Sequence, residues 1–162
     1  NKYCERLKMA NIAQMVNVLQ SVILTRDDEM VLTPTYHLFK MYIPHQGAEY
    51  LPLHYESKQL RDKNNRVVNT LSATASRAED GTVTITLANV DLVSDCRITI
   101  SLDKDKKYDV SGSILTSKNI SDHNTFEDPE CIKTVKYDNF KSQKGSIEVV
   151  LPTKSIVSLT LK

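Results

Sequence analysis

The sequence predicts a mainly β protein, an antiparallel two-sheet sandwich that follows one or two helices. Three observations lead to this fold class. From about residue 48 onwards, apolar residues recur at every second position, as they do in half-buried strands. Turn signals, among them Asp80-Gly81, separate neighbouring apolar runs. Before residue 48 the apolar residues instead follow the spacing of helices.

The first predicted helix spans residues 4–23 and is apolar on nearly every side. At about 100° per residue, the stretch NIAQMVNVLQSVI (11–23) places apolar side chains around most of the helix circumference. No charged residue occurs between Lys8 and Arg26, although a surface helix normally has a charged outer face. We therefore expect this helix to pack against a second large apolar surface, which the rest of the chain does not offer.

A second, shorter helix is predicted in TPTYHLFKMY (33–42), after an extended stretch at residues 30–34. Thr33 is suited to the N-cap, and Pro34 to the first helical position, where its missing N–H costs nothing. The following IPHQG breaks the helix.

About seven strands are predicted after the helices. Because each has one apolar face, they form two packed antiparallel sheets. Residues 57–65 and 121–130 are predicted to be long polar loops. The clearest strands are NTLSATAS (69–76), TVTITLANV (82–90), CRITISL (96–102), YDVSGSIL (108–115), SIEVVL (146–151) and SIVSLTL (155–161).

Composition excludes several classes of protein. The 162 residues carry a formal net charge of +1 with scattered Lys and Arg, which does not favour nucleic-acid binding. The uncharged run around residues 9–25 is too short and too polar to span a membrane. Cys4, Cys96 and Cys131 have neither disulfide nor metal-ligand spacing, and we expect them to be buried small hydrophobic residues.

Two N-terminal stretches, MANIAQMVNVLQSVILT (9–25) and MVLTPTYHLFKMY (30–42), resemble the end of the catalytic barrel in glycoside hydrolase family 51, the α-L-arabinofuranosidases. Residues 71–91, 111–130 and 145–161 resemble the C-terminal sandwich of that family, in the same order. The resemblance implies that residues 1–45 are a remnant of the (β/α)8 barrel end and a connector. Residues 46–162 would then be a jelly-roll-like C-terminal β-sandwich domain.

The resemblance also implies a function. The chain would be the C-terminal accessory domain of a retaining glycosidase that releases terminal arabinofuranose from arabinose-containing oligo- or polysaccharides. Its partner would be the catalytic barrel of the parent enzyme, and oligomer contacts are also expected. The two catalytic glutamates of the family would lie before Asn1, so the chain itself would have no catalytic residue and would be inactive alone.

Gln14 is the one substrate-binding candidate. In the family, the glutamine of this AQ-x-VNV stretch approaches the bound arabinofuranosyl unit, and an amide can both donate to and accept from sugar hydroxyls. The alternative role is an amide that satisfies backbone groups at a helix start. Asn17 is more typical of a structural role.

No metal or cofactor is predicted. The histidines His37, His45, His54 and His123 are isolated in the sequence. Asp122 and Asn124 are ordinary turn formers. Other carboxylates fit solvated turns, namely Asp27, Asp28, Glu29, Asp103 and Asp105.

An alternative function is a free-standing carbohydrate-binding or adhesive sandwich. Such modules stack sugar rings on flat aromatic platforms. The chain has no Trp, and its three Phe and seven Tyr are mostly dispersed, which weakens this alternative.

Overall fold

A computed structural model describes residues 1–12 and 14–162 of the chain. Strands β1 (Ile23–Arg26) and β2 (Glu29–Leu32) form an N-terminal hairpin, and helix α1 (Pro34–Tyr42) follows, continued by a 3-10 helix at Ile43–His45. The remaining strands are β3 (Glu49–Leu51), β4 (Gln59–Arg61), β5 (Val67–Asn69), β6 (Leu71–Arg77), β7 (Val83–Asn89), β8 (Cys96–Ser101), β9 (Val110–Thr116), β10 (Val135–Tyr137), β11 (Phe140–Gln143), β12 (Ser146–Leu151) and β13 (Ser155–Leu161).

Two antiparallel sheets face each other, as the sequence predicts. The larger has six strands in the order β10-β9-β13-β7-β6-β3, and the smaller has three in the order β11-β12-β8. The predicted turn at Asp80-Gly81 joins β6 to β7, and Gly81 has a φ of 86°, which favours glycine. Strand β13 pairs along its whole length with β7 on one side and β9 on the other.

The core lies between the two sheets and is built from alternate strand residues. Ile147, Val149 and Leu151 of β12 are buried opposite Val157, Leu159 and Leu161 of β13. Burying each of these side chains contributes about 1.5–3 kcal/mol. The alternation of apolar residues that predicted the sandwich is therefore the pattern that forms its core.

The prediction of a short helix capped by Thr33 is also confirmed, by α1. The Thr33 hydroxyl accepts a hydrogen bond from the backbone N–H of Tyr36, and Pro34 is the first helical residue. Met41 is buried against Leu115 and Ile132, so the helix packs on the β9 side of the large sheet.

The predicted helix over residues 4–23 is wrong. The described part of this range contains turns, bends and an isolated bridge between Val16 and Ile23, and β1 already begins at Ile23. Asn17 and Gln20 have φ values of 55° and 61°, which no right-handed helix accommodates. The Asn17 side chain accepts a hydrogen bond from the backbone N–H of Thr25 at 2.7 Å, and such bonds compete with helix formation. Helices depend mainly on packing of an apolar face, and this segment has no such partner within the described chain.

Two further predictions need correction. The stretch 57–65 is not only a loop, because β4 lies within it and pairs with β5. Short strands at β3, β10 and β11 carry too few alternating residues to be seen in the sequence. Cys4 and Cys131 are exposed and Cys96 is partly exposed, so the cysteines are not buried.

Among the described residues, no helix has the length and apolarity to cross a membrane.

Candidate functional site

The N-terminal segment of residues 7–22 presents large apolar side chains to solvent. Met9 is 74% exposed and Leu19 is 88% exposed, and Leu7, Ile12 and Met15 are also exposed. A contiguous exposed apolar patch on a soluble protein usually marks a contact with another protein surface. We call this patch, together with the exposed side of α1, the N-terminal surface.

Helix α1 forms the second wall of a groove in this surface. The groove has a volume of about 450 Å3 and is lined mostly by apolar side chains. Ile12, Met15 and Val22 contribute from the N-terminal segment, and Phe39 and Ile43 from the helix side. Because Phe39 and Ile43 are themselves exposed, both walls of the groove are open to solvent.

Backbone hydrogen bonds fix the segment from Met15 onwards. The Met15 carbonyl accepts from the N–H groups of Val22 and Ile23, at 2.9 and 3.0 Å. The Thr33 hydroxyl donates to the Ser21 carbonyl at 2.7 Å, which ties the segment to the start of α1. These bonds fix the chain from Met15 onwards beside the start of α1.

Gln14 directly precedes Met15, and its side chain is exposed. The described backbone on either side of it is not helical. Asn17, by contrast, is structural as expected, because its amide bonds both the backbone N–H and the hydroxyl of Thr25.

The carboxylates predicted to be surface charges are confirmed as such. Asp27 and Asp28 are exposed in the turn between β1 and β2, Glu29 is exposed at the start of β2, and Asp103 and Asp105 are exposed after β8. Glu29 pairs with Arg26 at 2.8 Å. An exposed pair of this kind contributes little to stability.

His45 anchors the connector to the sandwich. Its Nδ1 lies 2.7 Å from the Ser76 hydroxyl, and its Nε2 lies 2.8 Å from the Thr86 hydroxyl. Burial lowers the pKa of the imidazole. Within the described residues, no three His, Cys, Asp or Glu side chains come together as a metal site, and His45 is held by hydroxyls only.

Asn124 joins the 121–130 loop to the N-terminal hairpin, a role that the sequence did not reveal. Its side-chain nitrogen donates to the carbonyls of Leu32 and Ile132, at 2.7 and 2.8 Å. Its oxygen accepts from the Ile132 N–H at 2.7 Å. The prediction of an ordinary turn former is wrong, since the side chain is buried and makes three hydrogen bonds to the backbone. Nothing in the local sequence separates such an asparagine from an exposed one.

The same loop meets the hairpin at a second place. The Arg26 guanidinium lies 4.2 Å from the ring centre of Phe126 and 3.4 Å from the Glu127 carboxylate. Together with Asn124, these contacts position the N-terminal hairpin, and with it the N-terminal surface, against the sandwich.

Comparison with known proteins places this geometry in a family. An intracellular exo-α-L-arabinofuranosidase of Bacteroides ovatus is 50% identical over 162 residues, which are 100% of this chain and 32% of that protein. The crystal structure of the GH51 arabinofuranosidase from Xanthomonas axonopodis pv. citri matches with a TM-score of 0.92 and 40% identity, over 99% of this chain and 32% of that one. A family 51 α-L-arabinofuranosidase from Bifidobacterium longum shares the fold at 21% identity, with a TM-score of 0.88 over 99% of this chain and 32% of its own.

The chain thus spans about a third of the length of the relatives it matches. The sequence model described as the α-L-arabinofuranosidase C-terminal domain matches residues 1–155, nearly the whole chain. The chain therefore belongs to the α-L-arabinofuranosidase C-terminal domain family.

Proposed function

We propose that this chain serves as the C-terminal accessory domain of an α-L-arabinofuranosidase, a retaining glycosidase that releases terminal arabinofuranose from arabinose-containing oligo- or polysaccharides. The observation that carries the proposal is the N-terminal surface. Its exposed apolar side chains would each gain about 1.5–3 kcal/mol on burial, so they are suited to a large apolar partner. The proposed partner is the catalytic barrel of the parent enzyme.

We propose further that residues 1–45 belong functionally to the barrel and connector, and residues 46–162 to the sandwich. His45, which is bonded to Ser76 and Thr86, supports a boundary at this position. The connector would be fixed to the sandwich on one side and would offer the N-terminal surface to the barrel on the other.

The chain alone is proposed to be catalytically inactive, with both catalytic glutamates supplied by the barrel. The five carboxylates singled out in the sequence support this proposal, because all five are exposed to solvent. The purified chain should hydrolyse an aryl α-L-arabinofuranoside no faster than buffer does. Turnover that persists through repeated purification would contradict the proposal.

A chimera tests the accessory role directly. The matching third of the Bacteroides ovatus relative would be replaced by this chain, which is 50% identical to it. The chimera should hydrolyse the aryl arabinofuranoside, whereas a chimera carrying Met15→Asp and Leu19→Asp should lose assembly and activity together. Met30→Asp is the matched control, because Met30 is an exposed apolar residue outside the N-terminal surface. Full activity of the doubly substituted chimera would refute the docking role.

Gln14 is proposed to contact the arabinofuranosyl unit in the assembled enzyme. In the chimera, Gln14→Ala should lower kcat/KM by about 2- to 13-fold, the equivalent of one neutral hydrogen bond of about 0.5–1.5 kcal/mol. The loss would be larger if the bond tightens in the transition state. Gln46→Ala, at an exposed amide outside the groove, is the matched control and should leave kcat/KM unchanged. A fall in Tm with unchanged kcat/KM would remove Gln14 from the substrate site.

The free-standing carbohydrate-binding module is not favoured. The tyrosines that gather in one place, Tyr42, Tyr50 and Tyr55, line a groove beside β6. The Tyr55 hydroxyl accepts a hydrogen bond from the Ala73 N–H, and Tyr42 is partly buried beside His45. Two of the three tyrosines therefore make contacts within the domain, which supports the accessory-domain proposal.

A further inference from the structure

The chain that precedes β1 runs alongside the start of that strand for three residues. Val16 forms a parallel bridge with Ile23, the first residue of β1. The Ile23 N–H donates to the Met15 carbonyl at 3.0 Å, and the Ile23 carbonyl accepts from the Asn17 N–H at 3.2 Å. Residues 15–17 therefore pair with the edge of β1 that β2 does not use.

The Asn17 side chain continues this pairing where the backbone leaves it. In a parallel ladder, the next bond would join the Thr25 N–H to the Asn17 carbonyl. The Asn17 backbone has a φ of 55°, however, and leads away into the loop of residues 18–21. Its side-chain oxygen accepts from the Thr25 N–H at 2.7 Å, and its side-chain nitrogen donates to the Thr25 hydroxyl at 2.9 Å. The amide thus takes the place of the backbone carbonyl in the ladder.

Asparagine suits this position for two reasons. It adopts a positive φ more readily than most residues, and its short side chain offers both an acceptor and a donor. Both Asn17 and Thr25 are exposed in the structure. Because water competes for exposed polar groups, the pair contributes little to the free energy of unfolding. What the pair sets is the direction of the chain on either side of Asn17.

We propose that Asn17 is a positioning residue for Gln14, a role that rests on the proposed contact of Gln14 with the arabinofuranosyl unit. Met15, whose carbonyl also accepts from the Val22 N–H at 2.9 Å, lies one peptide bond after Gln14. The Asn17 amide holds residues 15–17 on β1 and thereby sets the direction in which Gln14 leaves the pairing. A hydrogen bond weakens steeply when its geometry is lost, so loosening these residues would weaken the contact of Gln14 with the sugar.

Amide hydrogen exchange in this chain tests the geometry without any substrate. Asn17→Gly allows the same positive φ but removes the side chain, so the Thr25 N–H loses its acceptor. That N–H should then exchange about 2- to 13-fold faster, the equivalent of one neutral hydrogen bond. Gln20→Gly is the matched control, because Gln20 is also exposed and has a φ of 61°, but its amide does not bond Thr25. Unchanged exchange of the Thr25 N–H in Asn17→Gly would overturn the proposal.

Kinetics of the chimera test the positioning role itself. Asn17→Gly should lower kcat/KM towards the value of Gln14→Ala but not below it, with Tm nearly unchanged. Asn17→Asp should restore kcat/KM, because a carboxylate oxygen still accepts from the Thr25 N–H and Asp also adopts a positive φ. Gln20→Gly should leave kcat/KM unchanged. A large fall in Tm of Asn17→Gly with unchanged kcat/KM would show a merely structural role and overturn the proposal.

The double variant Gln14→Ala/Asn17→Gly separates positioning from an independent contact. If Asn17 acts through Gln14, Asn17→Gly should cause no further loss of kcat/KM once the Gln14 amide is gone. Additive losses would overturn the positioning role. A loss in Gln14→Ala with none in Asn17→Gly would overturn the positioning role alone. Unchanged kcat/KM in Gln14→Ala would overturn the sugar contact and the positioning role together.

Discussion

Removing the Asn124 side chain should destabilise the whole sandwich, because this buried amide satisfies three backbone groups. In Asn124→Ala, the carbonyls of Leu32 and Ile132 and the N–H of Ile132 all lose their partner. Hydrogen bonds contribute about 0.5–1.5 kcal/mol each, so three predict a loss of about 1.5–4.5 kcal/mol in the free energy of unfolding. That is a large part of the stability of an ordinary domain.

Urea unfolding, followed by far-UV circular dichroism, measures this loss. Asn139→Ala is the matched control, because Asn139 is exposed in the turn between β10 and β11 and its substitution should change the free energy by less than about 0.5 kcal/mol. If Asn124→Ala were as mild as the control, the three bonds would not stabilise the fold and the argument would fail.

Asn124→Asp tests the donor of this side chain separately from its acceptor. One carboxylate oxygen still accepts from the Ile132 N–H. The other replaces the amide nitrogen, so an oxygen then faces the two carbonyls that lie 2.7 and 2.8 Å from that nitrogen. Burial and these carbonyls would raise the pKa of the introduced carboxyl in the folded state. Its contribution to stability would therefore be fully present below the unfolded pKa of about 3.9 and lost as pH rises through the folded pKa. The variant should gain stability relative to Asn124→Ala at low pH, and equal pH profiles for the two variants would contradict the assigned geometry.

The sandwich could be predicted because its signals are local. Alternation in β7, β12 and β13 is strong enough to give each strand nearly its observed bounds, and Thr33-Pro34 marks the start of α1. In these elements the local sequence pattern and the tertiary packing favour the same secondary structure.

The N-terminal segment could not be predicted from its pattern. Its apolar spacing fits a helix, yet Asn17 bonds Thr25 eight residues further on and turns the chain back on itself. Whether such a side-chain hydrogen bond forms depends on how the two segments lie relative to each other in the fold. The spacing of apolar residues contains no information about that arrangement. The observation that the segment lacks an apolar partner was nevertheless sound, because its side chains are exposed in the structure.

Two further predictions concern the core and the connector. Leu151→Ala should lower the free energy of unfolding by about 2–5 kcal/mol, because Leu151 is fully buried and its removal leaves a cavity, and urea unfolding would reveal a milder effect if the site collapsed. His45 should make the fold sensitive to acid. Burial lowers the pKa of its imidazole in the folded chain, so the unfolded chain binds the proton more readily. The contribution of neutral His45 to the free energy of unfolding is therefore fully present above the unfolded pKa of about 6.5 and is lost as pH falls through the folded pKa. Urea unfolding at pH 8 and pH 5 should show a smaller decrease for His45→Gln, which keeps a neutral amide near Ser76 and Thr86, than for the unchanged chain. Equal decreases would mean that the acid sensitivity arises elsewhere and that the connector is not held through a neutral imidazole.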